Sequence, residues 1–553
     1  MPGWSFEKGR ARRAVSTVGG LGVAVAMAAV VMGGQDGCDD RTTYLTMRDG
    51  VMLATDVYTV SRTAAPTVVM RTPYGRKGLQ AAANTLNNLG IAAVAQDIRG
   101  TGESDGTFML FQDDGWGDNQ DGYDTVGWAS VQSWSNGDVC LYGASALGIT
   151  GILGAGAAPP GLRCVFALAA TGDLYHHAMT WGGVLRNELV VNWATDLGAT
   201  EALEALYEHP LYDDFYRPVS IQDRYGEVHA AIYSMGGWYD IFSQGNLDLF
   251  TGITQEGPPD ARDSQKLMMG PWSHASGGPT VGELTYPDNS VLPLGDDVRW
   301  LQYWLTGDGG GIETEPAVTY YQMGDVDVSS SDWNVWRTAD TWPVPSNPTP
   351  LYLQPDGSLT FDPPGEADAS SRFLFDPENP VPTVCGNNLY ERSGPCDQRG
   401  VEARNDVLVF TTDVLDRPLA ITGRVTARLW VSSSALDTDF TVKLTDVYPD
   451  GRSMLVLDGI LRMRFRQGDT NEVLMTPGEV YEVEVDLWST AITFNSGHRI
   501  RVAVSSSNAP RFHVNPNNGA PLYTADDQPV VAEQTVYHDS TRPSYILLPV
   551  VAE

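Results

Sequence analysis

Val139-Cys140-Leu141-Tyr142-Gly143-Ala144-Ser145-Ala146-Leu147-Gly148 decides the fold class. Its first four residues form an apolar run of strand length. Beyond it, Ile149-Thr150-Gly151-Ile152-Leu153-Gly154-Ala155 is a run of small and apolar residues suited to a helix lying close against a sheet. A serine at such a strand-to-helix junction sits on a tight turn with its hydroxyl exposed, and the next backbone N–H points toward the oxygen of a reacting carbonyl. The spacing is unorthodox, since the second glycine falls three residues after Ser145, and an ordinary glycine-rich turn stays open as the alternative.

On either side of this stretch, apolar runs such as Ala65–Met70, Gly90–Ile98 and Cys164–Ala170 alternate with helical segments of crossover length. Runs without strict alternation, separated in this way, predict a parallel sheet covered on both faces, hence an α/β core over residues 41–172 and 228–340. Between them, residues 173–227 carry longer amphipathic stretches such as Glu201–Glu208 and read as a helical cap. Pro343, Pro345, Pro348 and Pro350 read as a Pro-rich connection, beyond which the period changes to two: in Tyr481-Glu482-Val483-Glu484-Val485-Asp486-Leu487 apolar and acidic residues alternate without error, and Val425, Ala427, Leu429 and Val431 repeat the pattern. Residues 341–553 are therefore predicted to form an antiparallel β-sandwich.

A second serine needs separating from the first. Gly102-Glu103-Ser104-Asp105-Gly106 fits the nucleophile pattern G-x-S-x-G letter by letter, but no helix follows it, and Glu103 and Asp105 would oppose the negative charge that develops on a substrate oxygen. Ser104 is read as a turn residue. Of the eight histidines, His274 in Gly270-Pro271-Trp272-Ser273-His274 follows the apolar run Leu267-Met268-Met269, a strand-end loop where α/β enzymes keep their chemistry. His176 and His177 belong to the cap, and His498, His513 and His538 to the sandwich. Asp240, closing Met235-Gly236-Gly237-Trp238-Tyr239-Asp240, takes the same kind of position. Ser145, Asp240, His274 is the chain order of an α/β-hydrolase triad. No Cys/His spacing suits zinc, and the acidic loop 113–124 does not match an EF-hand, so neither metal nor cofactor is expected.

The chain resembles the cocaine esterase and X-Pro dipeptidyl-peptidase family of α/β-hydrolases, which includes α-amino-acid ester hydrolases and glutaryl-cephalosporin acylases. The likeness rests on Arg48-Asp49-Gly50-Val51, Arg71-Thr72-Pro73-Tyr74, Asp97-Ile98-Arg99-Gly100-Thr101-Gly102-Glu103-Ser104-Asp105-Gly106, the Ser145 turn, Gly237-Trp238-Tyr239-Asp240, Gly270-Pro271-Trp272-Ser273-His274 and Gly497-His498-Arg499-Ile500-Arg501-Val502. It implies a hydrolase core with an inserted helical cap and a C-terminal jelly roll. It also implies Ser145, Asp240 and His274 as the triad, and Tyr74 with the Ala146 N–H as the oxyanion hole. The family usually has Tyr after the nucleophile; Ala146 stands there in this chain and opens the pocket floor. Where α-amino-acid ester hydrolases hold an ammonium group with two carboxylates, this chain has Phe242 and Ser243, so a free α-amine is disfavoured. Phe242 matches an aromatic lining the acyl pocket of cocaine esterase, with Trp181 and Trp193 as companions, although each could equally be a core aromatic. The expected function is hydrolysis of acyl esters or amides through an acyl-enzyme; alternatives are an X-Pro dipeptidyl-peptidase, a β-lactam side-chain acylase, or a non-catalytic binding protein using its jelly roll.

Composition narrows the partners. The 553 residues include 69 Asp and Glu against 35 Lys and Arg, a formal charge of −34, which repels phosphate backbones and excludes nucleic-acid binding as the function. Lys8, Arg10, Arg12 and Arg13 precede an uncharged run of Ala, Val and Gly, the order of an export signal, and residues 1–37 are set apart from the fold. Gly37-Cys38-Asp39 resembles a lipoprotein cleavage site, and a lipid on Cys38 would be the chain's one membrane contact. The expected location is therefore periplasmic, extracellular or lipid-anchored at the cell surface. Export permits disulfides, and Cys385 and Cys396 are predicted to close a local loop. Cys140 and Cys164 fall in two apolar runs and read as buried thiols, with a second bridge as the alternative.

Overall fold

The computed structural model describes residues 40–60, 64–524 and 528–551; the export signal and Cys38 lie outside the described residues. Ten strands build the central sheet: β1 (Asp40–Thr46), β2 (Met52–Tyr58), β3 (Ala65–Thr72), β4 (Ala92–Asp97), β5 (Ser135–Ala144), β6 (Leu162–Leu168), β7 (Ala231–Tyr239), β8 (Lys266–Ser273), β9 (Val318–Gln322) and β10 (Val335–Ala339). Their spatial order is β1-β2-β4-β3-β5-β6-β7-β8-β9-β10. Strands β3 to β9 run parallel, and β1, β2 and β10 finish the ends in antiparallel pairs.

The uninterrupted apolar runs have a simple cause, because neighbouring side chains on one strand enter different cores. Val69, Val94, Leu141 and Val165 pack on one face with Val126, Ile152 and Leu153. Val68, Ala93, Cys140 and Phe166 pack on the other with Leu86, Trp300 and Leu301. The covering helices are α1 (Gln80–Asn88), α2 (Asp121–Ser130), α3 (Ala146–Gly156), α4 (Asn187–Asp196), α5 (Thr200–Glu208), α6 (Ser243–Glu256) and α7 (Asp296–Thr306). Cys140 and Cys164 are register partners on β5 and β6, with Cα atoms 4.6 Å apart, and form a disulfide, not the two thiols expected; two cysteines directly opposed on adjacent strands are already within bridging distance.

Between β6 and β7 the segment expected to be a helical cap is mixed. It holds α4 and α5, but also a hairpin, Thr180–Trp181 with Val184–Leu185. The hairpin is pressed into the C-terminal region so tightly that a Cβ at Gly182 would lie 1.9 Å from the Ile460 carbonyl oxygen.

The C-terminal region forms a seven-stranded and a four-stranded sheet, whose inner side chains join one apolar core and make a β-sandwich. Alternation follows the sequence: Val425, Ala427, Leu429 and Val431 are buried, whereas Arg428 between them and Arg424 just before them are exposed. Pro348 and Pro350 lie inside strand Asn347–Leu353 instead of in a connection. Only its last two residues pair on a second side, so there the prolines remove no ladder bond on the free side. The same core includes Trp238, Tyr239 and Tyr320 from the central sheet, so the two regions are joined by shared packing. Cys385 and Cys396 are bridged.

Candidate active site

Close packing dictates the glycines around Ser145. A Cβ at Gly143 would lie 2.2 Å from the Cβ of Leu147, and one at Gly148 would lie 2.6 Å from the Cβ of Ala170. Strand β5 turns into α3 across a single residue, and Ser145 takes φ 54° and ψ −124°. Non-glycine residues hold such a conformation only where the surroundings enforce it, and such outliers gather at functional sites. Here the Ser145 N–H donates to the Leu168 carbonyl at 2.9 Å, strapping the turn to the end of β6.

The ends of β7 and β8 supply the other two groups. Asp240 is 1% exposed; its Oδ1 accepts the Phe242 N–H at 2.7 Å, and its Oδ2 accepts the His274 Nδ1–H at 2.7 Å. The His274 Nε2 lies 2.9 Å from the Ser145 Oγ. A carboxylate only accepts, so the proton on the ring belongs at Nδ1, which leaves Nε2 as the acceptor for the serine O–H. Three side chains spread over 130 residues thus form one hydrogen-bonded line at the C-terminal ends of β5, β7 and β8.

Strand β3 neighbours β5, so the loop after β3 runs beside the Ser145 turn, and it carries Tyr74. This residue is 45% exposed, and burial by the surrounding atoms raises its phenol pKa. Two residues on, the buried Arg76 is held by Asp56 at 2.8 Å, Asp97 at 2.7 Å and Glu103 at 2.7 Å, which fixes the loop. Ala146 is the first residue of α3, and its N–H is among those a helix leaves without an internal partner.

The three aromatic candidates part company. Phe242 packs its ring edge-on to His274 at 5.7 Å. Trp193 donates its indole N–H to the Tyr74 hydroxyl at 3.0 Å and stacks on Phe111 at 5.7 Å. Trp181 lies elsewhere: it stacks face to face on Trp488 at 3.6 Å, donates to the Asp486 carbonyl, and has the Arg511 guanidinium over its ring. As part of the hairpin wedged against the sandwich, it makes these contacts with residues of the C-terminal region. Sequence reasoning missed Phe111, whose φ of 68° aims it under Trp193, and Asn387, whose amide reaches the Asp240 carbonyl; neither carries a local signal. The acidic loop 113–124 is spent on arginines, Asp121 on Arg99, Asp114 on Arg71 and Asp124 on Arg48. No group of acidic, His and Cys side chains suited to a metal occurs among the described residues.

A serine on a positive-φ strand-to-helix turn, within hydrogen-bond distance of a histidine at the C-terminal edge of a parallel sheet, is the layout of α/β-hydrolases, and this chain is a serine hydrolase of that class. It belongs to the family of X-Pro dipeptidyl-peptidases (S15 family), whose model matches residues 49–205 and 194–276; residues 310–547 match the X-Pro dipeptidyl-peptidase C-terminal non-catalytic domain. Cocaine esterase of Rhodococcus sp. (strain MB1 Bresler) is 31% identical over 91% of this chain and 97% of its own length. Among solved structures, an aminopeptidase from a marine sediment Thaumarchaeota archaeon superposes with a TM-score of 0.80 at 24% identity, covering 95% of this chain and 99% of that one. An α-amino acid ester hydrolase superposes with a TM-score of 0.79 at 25% identity, covering 95% and 98%.

Proposed function

We propose that Ser145, His274 and Asp240 act as a catalytic triad that hydrolyses acyl esters through an acyl-enzyme, with the Tyr74 hydroxyl and the Ala146 N–H as its oxyanion hole. The observation that carries this reading is the continuous line from Ser145 Oγ to His274 Nε2 at 2.9 Å and from His274 Nδ1 to Asp240 Oδ2 at 2.7 Å. His274 takes the serine proton as Oγ attacks the acyl carbon and later gives it to the leaving alcohol; Asp240 holds the tautomer and stabilises the imidazolium. The oxyanion receives the two donors, and water then attacks the acyl-enzyme with His274 again as base, which releases the acid.

The substrate we favour is an ester with an apolar or aromatic acyl group. Phe242 against His274, and Trp193 stacked on Phe111, offer ring surface beside the nucleophile. An X-Pro dipeptidyl-peptidase or an acylase acting on α-amino substrates needs a carboxylate for the ammonium group. Buried Phe242 and Ser243 supply none at the positions after Asp240. A panel of p-nitrophenyl esters set against aminoacyl-proline amides tests the reading: turnover confined to the esters supports it, turnover of the amides alone replaces it with the peptidase, and turnover of neither leaves a binding protein. We take the sandwich to be the jelly roll the family implies and residues 173–227 to act as a cap. Two disulfides support an exported protein, periplasmic, extracellular or anchored through Cys38.

A further inference from the structure

The loop between Cys385 and Cys396 is contributed by the C-terminal region, yet it is built against the turn that carries Asp240. Its base is closed twice, by the disulfide and by Gly386 and Gly394, which exchange backbone hydrogen bonds at 2.9 Å. Its tip is docked on α4: the buried carboxylate of Glu188 accepts the N–H groups of Leu389 at 3.1 Å and Glu391 at 2.7 Å, and that of Tyr390 between them. Three successive backbone donors converging on one buried carboxylate form an anion nest, which holds a loop in a single conformation.

Between base and tip stands Asn387, 5% exposed. Its amide nitrogen donates to the Asp240 carbonyl at 2.7 Å and to the Trp238 carbonyl at 3.1 Å. The next carbonyl, that of Ile241, takes the Arg186 guanidinium at 2.8 Å. The turn from 238 to 241 therefore has its backbone carbonyls gripped from outside the central sheet, while its one functional side chain points the other way, to His274. A carboxylate works as an orienter only while its own backbone is fixed, and small displacements in such constellations are expensive in rate.

We propose that Asn387 is a positioning residue for Asp240, and that the disulfide-closed loop 385–396 is a working part of the active site supplied by the C-terminal region. The proposal rests on the triad reading above. It is tested in the full chain with a p-nitrophenyl ester. Asn387→Ala should lower kcat by roughly 10- to 100-fold with KM within about twofold, because the substrate pocket keeps its walls and only the orienter is loosened. In an Asp240→Asn background the same change should cost nothing further, since no carboxylate is left to position. A folded Asn387→Ala protein with wild-type kcat, an effect confined to KM, or an equal further loss in the Asp240→Asn background would each overturn the proposal. If Asn387→Ala does not melt cooperatively, the paired Cys385→Ser, Cys396→Ser variant, which frees the loop and keeps Asn387, carries the same two measurements with the same outcomes. Ser145→Ala run alongside separates the failures: a dead Ser145→Ala with an unaffected Asn387→Ala sinks the positioning role alone, whereas an active Ser145→Ala sinks the triad.

Discussion

Two serines in this chain are ringed by glycines, and the structure uses them in opposite ways. Ser104 has its hydroxyl spent on the backbone, donating to the Asp97 carbonyl at 2.7 Å and accepting the Ala54 N–H at 2.9 Å. Ser145 leaves its hydroxyl for a side-chain base at 2.9 Å. The glycines differ as well. Gly102 is required because a Cβ would lie 2.3 Å from the Asp97 carboxylate, the group that clamps Arg76, whereas Gly143 is required for the turn of β5 into α3. The letters G-x-S-x-G report close backbone approach; whether the serine is free to react depends on what its oxygen already bonds.

The contrast can be broken or sharpened by substitution. Ser145→Ala should lower kcat by roughly 10⁶-fold, leaving only the acceleration due to binding and the oxyanion donors, measured by steady-state ester hydrolysis. Tyr74→Phe should raise the barrier by about 3 kcal/mol if its hydroxyl donates to the oxyanion, seen as a fall in kcat at nearly constant KM. Ser104→Ala should do the reverse of Ser145→Ala: it leaves the Ala54 N–H and the Asp97 carbonyl short of a partner and costs about 1–3 kcal/mol of stability in denaturant titration, with kcat changed only a few-fold. A loss of activity at Ser104 matching that at Ser145 would erase the distinction.

The smallest effect concerns the contact between segment 173–227 and the sandwich. His176 lies between Asp173 at 2.8 Å and Asp469 at 2.7 Å. Burial pulls its pKa down, but the two carboxylates outweigh burial and hold it at about 10 against an ordinary 6.5. A pKa raised on folding means that the folded state binds the proton more tightly. The stabilisation is therefore complete below about pH 6.5 and is lost as pH rises through about 10. The melting temperature of His176→Gln should fall below that of wild type at pH 6, and the gap should close by about pH 10.5, followed by thermal melts across that range.

Much of the candidate site was legible because each member follows an apolar run. Val139–Tyr142, Ala230–Tyr233 and Leu267–Met269 mark strands, and Ser145, Asp240 and His274 stand where those strands end. The sandwich was legible from period two at Val425–Val431 and Tyr481–Leu487. What escaped depends on tertiary neighbours. Trp181 is a hairpin residue whose fate is set by Trp488, 307 positions away, and Asn387 meets Asp240 across 147 positions. The Cys140–Cys164 bridge needed the register of β5 against β6, which apolar runs do not specify.

The most direct test of the account is to label the purified protein with a fluorophosphonate and map the modified peptide by mass spectrometry. One adduct on Ser145, abolished by Ser145→Ala and slowed by Asp240→Asn, is the predicted result. An adduct on Ser104, or ester turnover that persists with Ser145 unlabelled, would contradict it.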